Sequence, residues 1–578
     1  MIMAKIKTLK DSKNETIYPV TISEAFLDAN GDPIIPQIEK KIKNINVSVD
    51  TTLTKENVAA EAKTTGDKIQ LLLDLMRNRP STNTLADYFN HHRDGKVYQT
   101  KLWKSATNPT PTGIKLLDNE GLNFTPSTDT DEGVDDYATI PLFDWWHCNY
   151  TREDNGNIKI TAIEGDDDYA ESGAVDVGAF GMSFYWNWDD SNEEYTLVTI
   201  SDSPNEQYGL VPWPECVNAD GTVNAYWCHS AYPSVIASDG KLRSQPNAKV
   251  ARNQSYQNII TNYGKKGTGY KGAGTVRNTF QIIFNAIKGN TKNSQRICAG
   301  LTNYNLQYDA AVERSEKDTY FPVTSAQAAN LEIGTYVSVG YAANNNGSLN
   351  KDRGQTSIHA YADDVKILRI EDMNDGNKAV YLDVSEGFNT TKVALTDSLS
   401  SPIILSTMHT YTGETNRVIG KHDGSAVSNT SGRHPYRVQG TEYTVGGYMV
   451  ASDTVMEFQT DNSKKVYAAK NGVVHVTDTT KIRSTYKEVG TIPNYSGTDW
   501  WIGDVGVDTE TGVWYPAVSA TSEAQGYGDR CYCGGTATSG TREYLQGGVL
   551  WLGSFAGSSC LNCWSWLDRA NWYYLSAD

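Results

Sequence analysis

Hydrophobic and polar positions first fall into register at Thr54. From there Val58, Ala62, Thr65, Ile69, Leu72 and Met76 recur at alternating steps of four and three, with Lys63, Asp67 and Lys68 off the line. That is the a/d seam of a helix that packs against other helices. Thr54 is placed to cap its start, Leu53 and Val58 to staple its entry, and Arg79-Pro80 to stop it. Three heptads do not hold a lone helix together in water. The seam therefore needs partners, either copies of itself in an oligomeric stalk or a face of its own domain, and its polar flanks favour the stalk. Ahead of it, Ile17-Tyr18-Pro19-Val20-Thr21 reads as a short strand and Asp28-Ala29-Asn30-Gly31-Asp32-Pro33 as a turn.

After residue 81 the pattern shortens. Two aromatic runs, 139–147 and Phe184-Tyr185-Trp186-Asn187-Trp188, suit buried strands. Phe280, Ile283, Phe284 and Ile287 recur at helical spacing and predict a core helix over 276–287. Residues 318–400 look like an insertion. Runs at 320–324, 336–340, 365–370 and 379–384 predict four strands, with Asn374-Asp375-Gly376-Asn377 as a hairpin turn between the last two. The expectation is an α+β, β-rich chain: an attachment segment over 1–34, a coiled-coil helix within 35–80, a large domain made from 81–317 and 401–578, and a small β-barrel, 318–400, set into it.

Composition narrows the partners. A chain of 578 residues implies two to four units, and its formal net charge of −18 argues against nucleic acid or an anionic membrane. Lys265-Lys266, Lys271 and Arg277 form a basic cluster, but no Gly-Lys-Ser/Thr closes a phosphate loop there. No apolar run approaches the ~18 residues of a membrane span. Met1-Ile2-Met3-Ala4-Lys5-Ile6-Lys7 leads straight into polar sequence, so no secretory leader is expected. Synthesis in a cytoplasm and release by cell lysis follow as the expectation.

Eight cysteines are too few to define a disulfide scaffold in this length. Cys531-Tyr532-Cys533 and Cys560-Leu561-Asn562-Cys563 together supply four thiols, but the first pair has one intervening residue where zinc sites have at least two. Packed thiols are the default. Calcium would sit at the Asp28/Asn30/Asp32 turn, at Asp129-Thr130-Asp131-Glu132 with Asp135-Asp136, or at Glu164-Gly165-Asp166-Asp167-Asp168. Such runs are ordinarily solvated loops, and no cofactor is expected.

The densest aromatic content lies at the end. Seven of the 14 tryptophans stand at or after Trp500, and Trp551, Trp564, Trp566 and Trp572 alternate with small residues. Chain ends are normally loose, so rings here imply packing into a domain or display to a partner. Gly547-Gly548-x-x-Trp551-x-Gly553-Ser554-x-Ala556-Gly557, then Cys560-Leu561-Asn562 and Ala570-Asn571-Trp572, resembles the variable end of proteins diversified by a retroelement, phage tropism determinants among them. Upstream, Ile419-Gly420-Lys421-His422-Asp423-Gly424 and His434-Pro435-Tyr436-Arg437-Val438-Gln439-Gly440-Thr441-Glu442-Tyr443 are similar to the formylglycine-enzyme-like branch of the C-type-lectin fold. So is Lys292-Asn293-Ser294-Gln295. The chain departs from that branch at Gly446-Gly447-Tyr448-Met449-Val450, where a Gly-Asn-x-Trp-Glu-Trp turn is usual.

The resemblance implies a C-type-lectin-like domain in a phage tail-fibre tip: a virion protein and homotrimer, attached by its N-terminus to tail or baseplate proteins, that recognises a bacterial surface protein or glycan. Retroelements of this kind mutate template adenines, and an asparagine codon so treated can become Phe, Val, Leu, Ser, Cys, Tyr or Asp but not Trp. Val549, Leu552, Phe555, Cys563, Ser565, Leu567, Asp568, Tyr573 and Tyr574 are then the candidate ligand-facing positions, with a place in the core the open alternative for Val549, Leu552 and Leu567. Trp551, Trp564, Trp566 and Trp572 form a fixed frame, with Trp551 also counted as a ligand contact. A bacterium-encoded adhesin diversified the same way is the alternative, and a fibre-borne glycan hydrolase a third reading. Enzyme signatures are missing: there is no His-Glu-x-x-His, and Gly553-Ser554-Phe555-Ala556-Gly557 places its serine one position early for a nucleophile elbow. The expectation is a binding protein, not an enzyme.

Overall fold

The helix Thr275–Gly289 is buried from Thr275 to Lys288, so it must satisfy its polar side chains from within the protein. Its aromatic side carries Phe280 and Phe284, 4.5 Å apart ring to ring. Phe280 meets Trp227 at 4.8 Å and Phe284 meets Phe143 at 5.9 Å. Several of its polar residues reach partners on other elements. Arg277 donates to Ser230 O at 3.0 Å, Asn278 accepts from Trp514 Nε1 at 2.8 Å, and Lys288 lies between Asp135 at 3.0 Å and Asp423 at 2.9 Å. Asp453 accepts from Thr275 N at 2.8 Å, placing a carboxylate where the unpaired amides of a helix start favour an anion. The helix predicted over 276–287 is present, longer by one residue at its start and two at its end.

This computed structural model describes residues 67–68, 70–75, 78–344, 348–349, 351, 355–407, 409–471, 474–492, 499–533, 539–571 and 573–577, with the short strands Leu9–Lys10 and Thr16–Ile17. Contacts divide the chain into two units, Met1–Arg77 and Asn78–Asp578. In the first, Leu9–Lys10 pairs antiparallel with Thr16–Ile17. The described residues between 67 and 75 are helical, and Leu72 there is 49% exposed. The other seam positions, Val58, Ala62, Thr65, Ile69 and Met76, lie outside the described residues, as do the Thr54 cap and the 28–33 turn.

The second unit is β-rich with a few helices. A five-stranded sheet, a four-stranded sheet and a nine-stranded sheet surround the core helix, and one apolar cluster draws residues from all of them. Among the aromatic runs, Tyr185–Asp189 is a strand as predicted. The run 139–147 is not one strand. Pro141–Phe143 makes a 3-10 turn and the strand Trp145–Arg152 starts after it, because Pro141 lacks the amide a ladder needs.

The insertion has its own sheet and its own apolar cluster. Tyr320–Val323, Tyr336–Tyr341, Ala362–Asp372 and Lys378–Leu382 are the four predicted strands. Two more, Gln307–Asp309 and Ile403–Ser406, complete six, so the unit is wider than 318–400. Three- and four-residue strands carry too little alternation to be seen in sequence. Ala311 N donates to Pro322 O at 3.0 Å, linking the segment after the first strand to the opposite edge and nearly closing the sheet.

A charged cluster ties this insertion to the main body. His434 is buried between Glu414, which hydrogen-bonds Nδ1, and Glu332, 2.7 Å from Nε2; Arg433 reaches Glu332 at 2.7 Å. Burial alone would lower the imidazole pKa, but the hydrogen bonds to Glu332 and Glu414 outweigh it and raise it to about 9. The His434 hydrogen bond holds Glu332 down to about 2. Because the folded His434 value exceeds its ordinary 6.5, the stabilisation is complete below about pH 6.5 and lost as pH rises through about 9. On the acid side it is lost as pH falls from about 4.5 through about 2. The melting-temperature gap between the wild type and His434→Gln is expected to be widest between these limits and to narrow as pH rises past 9. A gap independent of pH would refute the charged pairing.

Candidate ligand-binding face

The carboxy-terminal segment is woven into the nine-stranded sheet rather than appended to it. Tyr574–Leu575 pairs in parallel with Tyr448–Phe458, the strand that begins inside the divergent Gly446–Val450 sequence. Gly540–Gln546 pairs with the same strand from the other direction. Between them the chain makes two passages, a loop over 547–560 and a run over 561–568 that is extended to Trp566 and turns at 567–568.

The loop is fixed from beneath by a buried carboxylate. Asp529 accepts from Gly557 N and Ser559 N, both at 2.8 Å, and from Gln295 Nε2 at 3.0 Å. Gln295 Nε2 also donates to Ser554 O at 2.8 Å, and Ser294 Oγ accepts from Ser558 N at 2.9 Å. Thus Lys292-Asn293-Ser294-Gln295 acts as a clasp on the loop. Burial pushes the Asp529 carboxyl up to about 7, against the pull of the donors that surround it. Position 557 must be glycine, since a Cβ there would come within 2.2 Å of Asp529 Oδ1. The other quoted motif is also structural. Glu442 accepts from Gly413 N and Thr415 N at 3.1 Å, and Arg437 donates to Gly420 O and His422 O at 2.8 Å.

The extended run alternates. Leu561, Cys563, Ser565 and Leu567 are buried, whereas Trp564, Trp566 and Asp568 are exposed and Asn562 is half-buried on the same side. Cys563 N donates to Tyr532 O at 3.0 Å and Glu543 N to Ser565 O at 2.8 Å, so strands on both sides hold this phase. Ser565 Oγ meets Tyr574 Oη at 2.7 Å inside the protein.

These burials correct part of the expectation. Cys563, Ser565 and Tyr574 point inward and offer no side chain to a ligand, and Val549 and Leu567 take the core alternative. Trp551, Leu552 and Tyr573 are half-buried, with Trp551 and Tyr573 edge to face at 4.5 Å. Phe555 is 43% exposed, and Asp568 is exposed too. Trp564 and Trp566, assigned to the frame, are outward at 41% and 45% exposure. Trp572 lies outside the described residues.

Rings and guanidinium groups from distant segments complete the face. Phe555 stacks on Trp501 at 4.6 Å with planes 8° apart. Arg530 sits 6.0 Å from the Phe555 ring and 4.9 Å from Tyr532, which reaches Trp564 at 6.1 Å. Asp499 holds that guanidinium with two bonds of 2.8 and 2.6 Å. Arg542 lies over Trp566 at 3.2 Å and over Phe458 at 5.4 Å. Cation–π and stacking contacts of this kind fix rings without burying them, leaving large rigid area for contact. Sequence reading missed Trp501, Arg530, Tyr532 and Arg542, although the Trp500-Trp501 pair was a visible signal.

The thiols are internal. All eight cysteines are free and buried, with Cys531 Sγ and Cys533 Sγ 2.9 Å apart. Among the described residues no His, Cys, Asp or Glu group is arranged to hold a metal. In the acidic loops, Asp135 is taken by Lys288 and Asp166 by Arg79 at 2.6 Å. No helix among the described residues is long and apolar enough to cross a membrane. No known family model matches the chain and no curated protein matches it, so the reading of this face rests on its own geometry.

Proposed function

We propose that the chain is an adhesin that recognises a bacterial surface ligand, protein or glycan, through the outward face built from Trp501, Arg530, Tyr532, Phe555, Trp564 and Trp566. The observation that carries this reading is the Phe555–Trp501 stack beside Arg530: exposed rings held rigid on a loop clasped from below. Exposed aromatic and arginine side chains are what binding sites use, because they bring contact area at small entropic cost. The two helices Tyr256–Gly264 and Thr275–Gly289 beside a mostly antiparallel sheet that takes up the chain end as a parallel strand suit the C-type-lectin-like reading. With the resemblance of the tail, they support a phage tail-fibre tip, trimeric through the 58–76 seam and attached to the tail by its N-terminus. Several copies per particle would multiply a modest single-site affinity. The alternative remains an adhesin encoded by the bacterium itself.

Two measurements test this. The labelled full chain is expected to bind whole cells of particular strains in a bacterial panel, and capture by no strain would refute the adhesin. Diversification has its own signature in the neighbouring DNA, a near-copy of the 3′ end beside a reverse transcriptase. Its adenine differences are expected at outward codons 555, 564, 566 and 568, with Asn562 an unaltered template codon, and not at 563, 565 or 567. Trp564 and Trp566 would then descend from the arginine codon AGG, which becomes TGG when its adenine is replaced. Differences concentrated at the buried codons would contradict the assignment of the face.

A further inference from the structure

A second site lies away from the aromatic face. A cavity of about 450 Å³ opens where the strand ends Arg152 and His229 meet the segment leading into the core helix. That volume falls in the range of small-ligand sites, and none of the outward rings lines it. Four cationic side chains line it, Arg152, Lys271, Arg277 and Lys470, the last of them paired with Glu510 outside the cavity. Glu215 and Asp453 are the acidic groups on its wall. Asp453 is already engaged by Thr275 N and by Thr454 Oγ1 at 2.6 Å. Glu215 accepts from Trp213 Nε1 at 3.3 Å and lies 3.2 Å from His229 Nδ1.

Among the buried polar atoms on this wall without a hydrogen-bond partner are His229 Nε2 and Arg277 Nε. Their residues are 3% and 4% exposed. A buried donor or acceptor left unpaired costs about 1–3 kcal/mol, so a fold that keeps both beside one cavity points to a ligand that engages them. Burial also pulls the site toward neutrality from both sides, raising Glu215 to about 7 and lowering Lys271 to about 8. The cationic excess is the more notable in a chain of net charge −18, since a basic cavity in an acidic protein is a local trap for anions. Around the rim stand five carboxamides, Asn155, Asn157, Asn218, Asn224 and Asn471, groups that both donate to and accept from hydroxyls. Tyr226, Ile158 and Val217 supply apolar wall.

We propose that this cavity binds an anionic sugar, with its carboxylate or phosphoryl group against Arg152, Lys271 and Arg277 and its hydroxyls toward the asparagine rim. The proposal is independent of the adhesin reading, because it uses none of the residues of the outward face.

Calorimetric titration of the full chain with D-glucuronate, glucose 6-phosphate, glucose and inorganic phosphate tests it. One or both of the charged sugars is expected to bind, with glucose at least about tenfold weaker, since a charge-assisted contact is lost. Which charged sugar binds tighter identifies the carboxylate or the phosphoryl as the anchor. Lys271→Met and Arg152→Met keep most of the side-chain length and are each expected to weaken binding by at least about tenfold. Should either variant fail to fold, the comparison of charged and neutral sugars on the wild type still decides. The assignment is overturned if neither charged sugar binds, if glucose binds equally well, or if folded variants retain full affinity. Inorganic phosphate binding as tightly as glucose 6-phosphate would overturn the sugar half of it.

Discussion

Replacing Phe555, Trp564 and Trp566 together by alanine is expected to weaken binding to cells that capture the wild type by at least about a hundredfold, while unfolding stability falls by no more than about 4 kcal/mol. The asymmetry comes from where these rings sit. Each is 41–45% exposed, so folding gains less from them than from a core ring, whereas a ligand would cover what remains. Phe555 gives up its stack on Trp501 and Trp566 its contact with Arg542, each worth about 0.5–1.5 kcal/mol at most. Cell binding measured beside denaturant midpoints separates the two effects. Unchanged binding by the folded triple variant would remove this face from the function.

Asp529→Ala is expected to lose both stability and binding. The substitution strands the buried amides of Gly557 and Ser559 and one bond of Gln295, and each unpaired buried donor costs about 1–3 kcal/mol. Partial relaxation of the loop brings the expected total to about 3 kcal/mol, read from the denaturant midpoint. The same relaxation frees Phe555 from its place on Trp501, so cell binding falls although no ligand contact has been deleted. Asp529→Asn keeps an acceptor of similar shape and is expected to lose about half as much. Amide exchange at Gly557 and Ser559 reports the mechanism directly. Protection surviving in Asp529→Ala would show that the loop is held by something else.

The two effects differ in kind. Loss of the rings leaves the clasp intact, and loss of the clasp leaves the rings in the chain but not in place. A surface whose outward side chains can be exchanged needs that separation. Here the anchors are Asp529, Gln295 and Ser294 below, with Gly557 as the position that tolerates no side chain.

What sequence alone determined is the set of elements whose pattern is long enough to carry a period. Phe280, Ile283, Phe284 and Ile287 marked the core helix because a stripe spaced by three and four has one structural meaning. The central strands of the insertion were legible from their β-branched runs and the Asn374-Asp375-Gly376-Asn377 turn, whereas its closing strand of three residues was not. At the carboxy terminus, sequence located the aromatic segment but inverted its phase over 563–566. An alternating run has two phases, and tryptophan is as apolar as the residues it alternates with, so composition cannot choose between them. Pairing with Tyr532 on one side and Glu543 on the other made the choice, turning Trp564 and Trp566 outward. Long-range contact likewise brought Trp501 and Arg530 to Phe555, and gathered Arg152, Glu215, His229 and Lys271 around one cavity. No spacing along the chain encodes such meetings, because they are set by how sheets stack and where loops cross.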